Sequence, residues 1–81
     1  MDNDFIHADL SVEGIHYDGR ISPERKHGKI VSWHVVLNDV FFGYISQDDG
    51  IWKVTEQRPH ELVQAVGSYI EKNKGHIQTV E

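Results

Sequence analysis

Apolar and polar residues alternate along the first part of the chain, from Phe5 to about Ser22. The alternation sets one apolar row, Ile6, Ala8, Leu10 and Val12, against a polar row of His7, Asp9 and Ser11. A period of two is typical of a strand with one buried face. Two turn signals, Glu13-Gly14 and Asp18-Gly19, interrupt this region, and the Asp-Gly pair has the better precedent in type I′ turns. We predict two early strands and leave open which signal closes a hairpin.

The strongest structural pattern lies in the middle of the chain, from Lys29 to about Glu56. Two segments, IVSWHVVL and VFFGYIS, are separated by Asn38-Asp39, and a third, IWKVTE, follows the sequence QDDG. β-Branched and aromatic residues favour strands, whereas Asn, Asp and Gly favour turns. This part of the sequence predicts a three-stranded meander.

The segment from Pro59 to Gly75 has helical spacing. Its apolar residues form one stripe, which consists of Leu62, Val63, Val66, Tyr69 and Ile70. Pro59 suits the first position of a helix, and Lys72, Lys74 and Gly75 are typical of a helix end. We predict one amphipathic helix over about residues 59–73. The sequence HIQTV after it either forms a last short strand or frays.

Together these patterns predict an α+β fold. A mostly antiparallel sheet of four to six strands carries one amphipathic C-terminal helix packed on one face. The 81 residues fit one small domain with a single core. No repeat, low-complexity tract or linker divides residues 1–81, and we expect residues 1–4 and the last few to fray.

The middle strands are apolar on both faces. With a two-residue turn at Asn38-Asp39, Leu37 lies opposite Val40 and every further cross-strand pair follows. One face then carries Ile30, His34, Val36, Phe41, Gly43, Ile45, Trp52 and Val54, and the other carries Val31, Trp33, Val35, Leu37, Val40, Phe42, Tyr44 and Ile51. One helix covers only one of these faces, so the other needs a cover of its own.

Two glycines indicate which face the helix covers. Gly43 is interior to a strand, where glycine often marks the close approach of another backbone. Gly67 is interior to the helix, where glycine costs about 1 kcal/mol relative to alanine and therefore has a packing reason. We place the helix on the Gly43 face, with Gly67 lying over Gly43 in a structural role.

The other face is centred on Trp33, Val35, Phe42 and Tyr44. Left in water, it would form an apolar patch large enough for association. Three covers are open: the N-terminal strands folded across it as a sandwich or barrel, a second copy of the chain in a symmetric dimer, or a different protein or small apolar ligand. In the first case these residues are core, and in the others they form a binding site.

Composition restricts the partners and the compartment. Thirteen acidic side chains against eight basic ones give a net charge of -5, which repels nucleic acid and anionic membranes. No stretch reaches the roughly 18 apolar residues of a membrane span, and the acidic N-terminus lacks the features of a signal peptide. The absence of cysteine excludes disulfides and fits a reducing compartment. We expect a soluble, cytoplasmic protein that binds neither nucleic acid nor membrane.

One stretch departs from this charge balance. The sequence RISPERKHGK holds four of the eight basic side chains, Arg20, Arg25, Lys26 and Lys29. Pro23 and Gly28 predict that it is a solvated loop. Binding of a phosphate or an acidic partner is the alternative role for this loop. No aromatic residue lies among the charges, so the stacking contacts of a single-strand nucleic-acid site are missing.

Histidine is frequent for so short a chain, with six residues. No pair has the i,i+4 spacing of a helical metal site or the i,i+2 spacing of a strand site. His16 and His34 are candidates for a weak ligand or metal site across neighbouring strands, with nearby acidic residues as further ligands. The sequence has no glycine-rich phosphate loop, no nucleophile elbow and no serine with an evident base. We therefore name no catalytic residue and expect no cofactor.

The sequence does not specify one function. We favour a non-catalytic protein-interaction module that works through the aromatic sheet face, with a homodimer as its first form. The alternative is a small-ligand or metal-binding domain built on His16 and His34, with an enzymatic role in that case.

Overall fold

The computed structural model describes residues 3–76 and 78–80. These residues form, in chain order, β1 Asn3–Val12, β2 Ile15–Lys26, β3 Lys29–Leu37, β4 Val40–Asp48, β5 Ile51–Val54, α1 His60–Asn73, a short 3-10 helix Lys74–His76 and β6 Gln78–Val80. All strand pairs are antiparallel. The predicted α+β fold is confirmed, and α1 begins and ends within one residue of the predicted helix.

Four two-residue turns connect the first five strands into a meander. Both residues of each turn have φ angles between 50° and 81°, as in type I′ turns, at Glu13-Gly14, His27-Gly28, Asn38-Asp39 and Asp49-Gly50. The first hairpin therefore closes at Glu13-Gly14, whereas Asp18 and Gly19 lie inside β2. Gly19 serves close packing there, because a Cβ atom on it would overlap the backbone carbonyl of Val36 in β3.

The strands lie in the order β5-β4-β3-β2-β1-β6. After β5, α1 crosses one face of the sheet, and β6 then pairs with β1 at the far edge. Gln78–Val80 thus form the last short strand, one of the two predicted alternatives for this segment. Asn3 and Asp4, which we expected to fray, lie in β1, and residues 1, 2 and 81 fall outside the described residues.

The core lies between α1 and one face of the sheet. Its buried residues are Ile6, Ala8, Ile21, Trp33, Val35, Leu37, Phe42 and Ile45 from the sheet, and Leu62, Val63, Val66 and Ile70 from the helix. Hydrogen bonds fasten the helix on both sides. The Gln64 side chain donates to the Trp52 carbonyl of β5 at 3.0 Å, and the Tyr69 hydroxyl donates to the His7 carbonyl of β1 at 2.8 Å.

A bulge in β4 places Tyr44 on the same face of the sheet as Phe41. Val35 pairs with Gly43 and Val36 pairs with Phe41, so Phe42 is an extra residue in β4. Gly43 has a φ of 139°, a conformation that glycine adopts readily and other residues do not. Phe42 lies in the core at 5% exposure, whereas Phe41 at 40% and Tyr44 at 39% are both exposed on the opposite face.

The predicted division of the middle strands into two faces is therefore wrong from Gly43 onward, and the prediction that the helix covers the face of His34 and Phe41 is wrong as well. The prediction assumed an unbroken register from the turn before β4, and the bulge shifts that register by one residue. The helix covers the face of Trp33 and Val35, with Phe42 beside them, so these three predicted partner-binding residues are buried. Tyr44 pairs with His34 on the opposite face and is exposed.

Gly67 has a packing role, but its neighbour is not the predicted one. A Cβ atom on Gly67 would overlap the indole ring of Trp52, whereas one on Gly43 would lie 2.6 Å from a methyl group of Val54. The prediction that Gly67 lies over Gly43 is wrong because the Trp52 ring occupies the space against this turn of the helix.

The prediction of a basic loop is also wrong. β2 runs through Arg20 and Arg25 to Lys26, and β3 begins at Lys29, so only the two residues between them form a turn. Alternating side chains of a strand point to opposite faces, and the four cations are therefore spread over the sheet and the tip of one hairpin.

Candidate interaction surface

The sheet face turned away from α1 is here called the open face. Among the described elements, α1 packs on the other face, and no second layer of structure lies over the open face. The polarity of the open face changes from strand to strand. The side chains on β1 and β2 are mainly polar, whereas those at the centre of β3 and β4 are mainly aromatic or aliphatic.

Three rings on β3 and β4 form the aromatic cluster, which consists of His34, Phe41 and Tyr44. The His34 ring centre lies 5.2 Å from that of Phe41 and 5.3 Å from that of Tyr44, and the last two are 5.6 Å apart. The two contacts of Tyr44 are edge-to-face, an arrangement that aromatic pairs favour. Phe41 and Tyr44 are both exposed despite these contacts. The cluster is thus an ordered apolar surface that faces solvent.

The segment after β5 fixes the backbone beneath the cluster. The Arg58 guanidinium donates from Nε to the Phe42 carbonyl and from Nη2 to the Phe41 carbonyl, each at 2.9 Å. The Thr55 amide donates to the Tyr44 carbonyl at 3.0 Å, and the Tyr44 amide donates to Thr55 Oγ1 at 3.1 Å. β5 is too short to cover the whole edge of β4. The hydrogen bonds from Arg58 and Thr55 pair the backbone groups that it leaves uncovered, so a further strand cannot pair with that edge.

The neighbouring strands β1 and β2 present a polar surface. A histidine nitrogen lies 3.2 Å from a carboxylate oxygen in the pair His7 and Asp18, and 2.5 Å in the pair His16 and Asp9. Asp9 of β1 and Asp18 of β2 are direct cross-strand partners. Each of the two carboxylates contacts a histidine of the opposite strand. All four side chains are mostly exposed, and exposed ion pairs of this kind contribute little to stability.

His16 and His34, the candidate metal or ligand pair, do not meet. His34 pairs with Ser22, and residues 16 and 22 of β2 are about 20 Å apart at about 3.3 Å per residue. Within residues 3–76 and 78–80, no group of three or more His, Asp or Glu side chains could hold a metal ion. The predicted pairing of these histidines is therefore wrong, because they lie far apart along the direction of the strands.

The four cations of the predicted anion-binding loop have separate surroundings. The Arg25 guanidinium binds the Asp4 carboxylate at 2.8 Å, and the Arg20 guanidinium lies 4.4 Å from the centre of the Phe5 ring. Lys26 and Lys29 are cross-strand partners beside the turn. The structure therefore does not bring these four side chains together around one anion.

Rows of side chains also cross the open face from strand to strand. Glu24 of β2 pairs with Ser32 of β3, and Ser46 of β4 pairs with Lys53 of β5. Ser32 of β3 and Ser46 of β4 adjoin the cross-strand pair Trp33 and Ile45, and therefore lie beside each other on the open face. This row, here called the charged row, has a carboxylate at one end, an ammonium group at the other and two hydroxyls between them.

Phe41 and Val36 belong to the open face but were not among the predicted site residues. Sequence reasoning grouped them correctly with His34 but placed the helix over their face, because it interpreted Gly43 as a site of close packing. The interior Gly43 was the available signal, since a glycine inside a strand also marks a bulge.

The chain matches no protein-family model, no curated protein and no solved structure. In the described part of the chain, no helix is long and apolar enough to cross a membrane.

Proposed function

We propose that this protein is a non-catalytic protein-interaction module that works through its open face, and that its first partner is a second copy of the same chain. The observation that carries the proposal is the exposed aromatic cluster on a sheet face with no described layer over it. Single exposed apolar residues are ordinary, but adjoining ones form a patch that favours association. Aromatic residues are also enriched in protein interfaces.

A two-fold axis parallel to the strands, between β3 and β4, fits this surface to a second copy. Rotation about that axis places β3 of one chain over β4 of the other, and β2 over β5. His34 then faces the partner's Tyr44, and Val36 faces the partner's Phe41. Two packed sheets keep their strands within about 30° of each other, so this arrangement has the geometry of an ordinary sandwich.

Charge complementarity supports the same axis. The rotation places Glu24 of one chain over the partner's Lys53 at one end of the charged row, and Lys53 over the partner's Glu24 at the other end. The hydroxyls of Ser32 and Ser46 meet between them. Such an interface has an apolar centre and a paired polar rim, as protein interfaces commonly do.

The test is the mass in solution, measured by light scattering on a sizing column over a range of concentrations. We expect a concentration-dependent dimer that Phe41→Glu or Tyr44→Glu converts to a monomer, because each places a carboxylate in the apolar centre. The matched control is Ile15→Glu, which changes an exposed apolar residue on the helix side of β2. It should leave the dimer intact.

Two outcomes would contradict the proposal. A chain that remains monomeric at high concentration does not use the open face for self-association. A dimer that Ile15→Glu disrupts while Phe41→Glu does not is built on another surface. Circular dichroism of each variant separates a lost interface from a lost fold.

A further inference from the structure

A second feature lies on the helix side of the sheet, away from the open face. An apolar depression of about 220 Å³ opens at the end of the sheet near the turn between β3 and β4. It is lined by the apolar or aromatic residues Tyr17, Leu37, Val40, Phe41 and Phe42, together with Asn38 and Arg58. An engineered apolar cavity of about 150 Å³ binds benzene, so this depression is large enough for one ring or one branched aliphatic group.

Arg58 has an unusual position beside this depression. It donates one N–H each from Nε and Nη2 to the Phe42 and Phe41 carbonyls, and one from Nη1 to the Gln57 carbonyl at 3.3 Å. A guanidinium has five N–H donors. Three of the five are thus used, and two remain. Within the described residues no carboxylate pairs with Arg58, whereas Arg25 has Asp4 as its partner.

These contacts fix the Arg58 guanidinium at the rim with its charge unneutralised. Its three carbonyl partners hold the side chain in one orientation, so a ligand would lose little affinity to the ordering of the arginine. The planar fork of arginine matches a carboxylate better than other anionic or neutral groups of that size. A cation at the rim of an apolar depression is complementary to a ligand with a carboxylate at one end and an apolar body at the other.

We infer that this depression binds a small organic monocarboxylate whose apolar body is a single ring or a branched chain. The body lies between Val40, Tyr17 and Phe42, and the carboxylate accepts hydrogen bonds from the remaining Arg58 donors. The overall charge of -5 repels an anion at long range, but that repulsion is screened over about 8 Å at physiological salt, whereas the contact with Arg58 is direct. This site lies mainly on the helix side, where Val40 pairs with Leu37, and it shares only Phe41 with the aromatic cluster.

The probe for the test is 3-phenylpropanoate, titrated into the 81-residue chain labelled with ¹⁵N for NMR. We expect saturable shifts of the Val40 and Phe42 amides and of the Arg58 Nε–H signal, with the amides of His34 and Tyr44 unmoved. The uncharged analogue 3-phenylpropanamide should bind at least about tenfold more weakly, because a charge-assisted hydrogen bond is roughly twice as strong as a neutral one. Equal binding of the two probes would show that Arg58 does not recognise the carboxylate.

Two matched variants separate binding from folding. Val40→Asp places a carboxylate at the mouth of the depression, and Val31→Asp makes the same change at the other end of the sheet, where the valine is 53% exposed against 62% for Val40. We expect Val40→Asp to weaken 3-phenylpropanoate binding at least about tenfold and Val31→Asp to leave it unchanged. Equal effects of the two variants, or no saturable shift at millimolar probe, would overturn the inference. Binding of a peptide with a C-terminal phenylalanine, without binding of 3-phenylpropanoate, would also overturn it.

Discussion

Gly67 of α1 lies against the indole ring of Trp52 in β5, and a Cβ atom on Gly67 would overlap the ring. The atoms it would meet are near the base of the ring, which cannot swing away as the end of a flexible side chain can. A neighbouring helical residue, Gln64, donates to the Trp52 carbonyl. The helix therefore needs a glycine at this position to approach β5 closely.

We expect Gly67→Ala to lower the free energy of unfolding. Overpacking costs about 1–3 kcal/mol, which exceeds the gain of about 1 kcal/mol in helix propensity. Ser68→Ala, at the adjacent exposed position of α1, gains propensity without an overlap and should be neutral or slightly stabilising. Urea denaturation of both variants checks the difference in sign, and a stabilised Gly67→Ala would contradict the close contact with Trp52.

The positions of the strands and the helix could be predicted from the sequence because they depend on local patterns. The alternation around Ile6 and the stripe around Val66 both reflect which residues can be buried on one side of an element. The bulge could not be predicted in the same way, since it depends on how β4 pairs with two neighbours and with Arg58 beyond β5. The candidate site changed with it, because one extra residue brings Tyr44 onto the face of Phe41 and moves Ile45 into the core.

The two faces of β4 predict opposite outcomes for two adjacent phenylalanines. Phe42→Ala removes a buried ring and should cost about 3–5 kcal/mol of stability. Phe41→Ala removes an exposed ring and should cost less than about 1 kcal/mol in the monomer, within the usual range for one aromatic contact on a surface. Chemical denaturation at a concentration where the chain is monomeric measures both. Similar losses for the two variants would contradict the register of β4.

The first hairpin illustrates a second limit of sequence reasoning. Asp-Gly is the more common pair in type I′ turns, yet the chain turns at Glu13-Gly14 and continues straight through Asp18-Gly19. The choice follows from pairing across the whole sheet, since turning at Glu13-Gly14 allows β2 to extend for 12 residues and to pair with both β1 and β3. Local turn propensity does not predict this pairing of β2 with two strands.

Gly19 gives a direct test of this arrangement. We expect Gly19→Ala to destabilise the protein by roughly 1–3 kcal/mol, because its methyl group would overlap the Val36 carbonyl and the backbone of β3 would have to move. Gly75→Ala is the matched control, since a Cβ atom there meets no heavy atom within 4 Å. Thermal unfolding of the two variants should show a lower Tm for Gly19→Ala alone. An unchanged Tm would mean that β2 and β3 do not approach so closely at this point.

The proposed dimer axis makes a prediction that a nonspecific apolar contact does not. Glu24→Lys places a lysine over the partner's Lys53 at both ends of the charged row. Lys53→Glu places a glutamate over the partner's Glu24 at both ends. Each single variant should therefore weaken the dimer. An exposed pair is worth about 0.2–1 kcal/mol. Losing two attractive contacts and gaining two repulsive ones therefore corresponds to about a tenfold rise in the dimer Kd. The double variant Glu24→Lys/Lys53→Glu restores both pairs and should return the Kd to its original value.

The control for this experiment is Glu71→Lys on α1, which changes the net charge by the same amount as Glu24→Lys but lies on the helix. It should leave the dimer Kd unchanged, and all differences between variants should shrink as salt is added. Sedimentation equilibrium at low and high salt measures each constant. A double variant as weak as the single ones would show that Glu24 and the partner's Lys53 do not meet. A dimer that Phe41→Glu still disrupts would then use the aromatic cluster about a different axis.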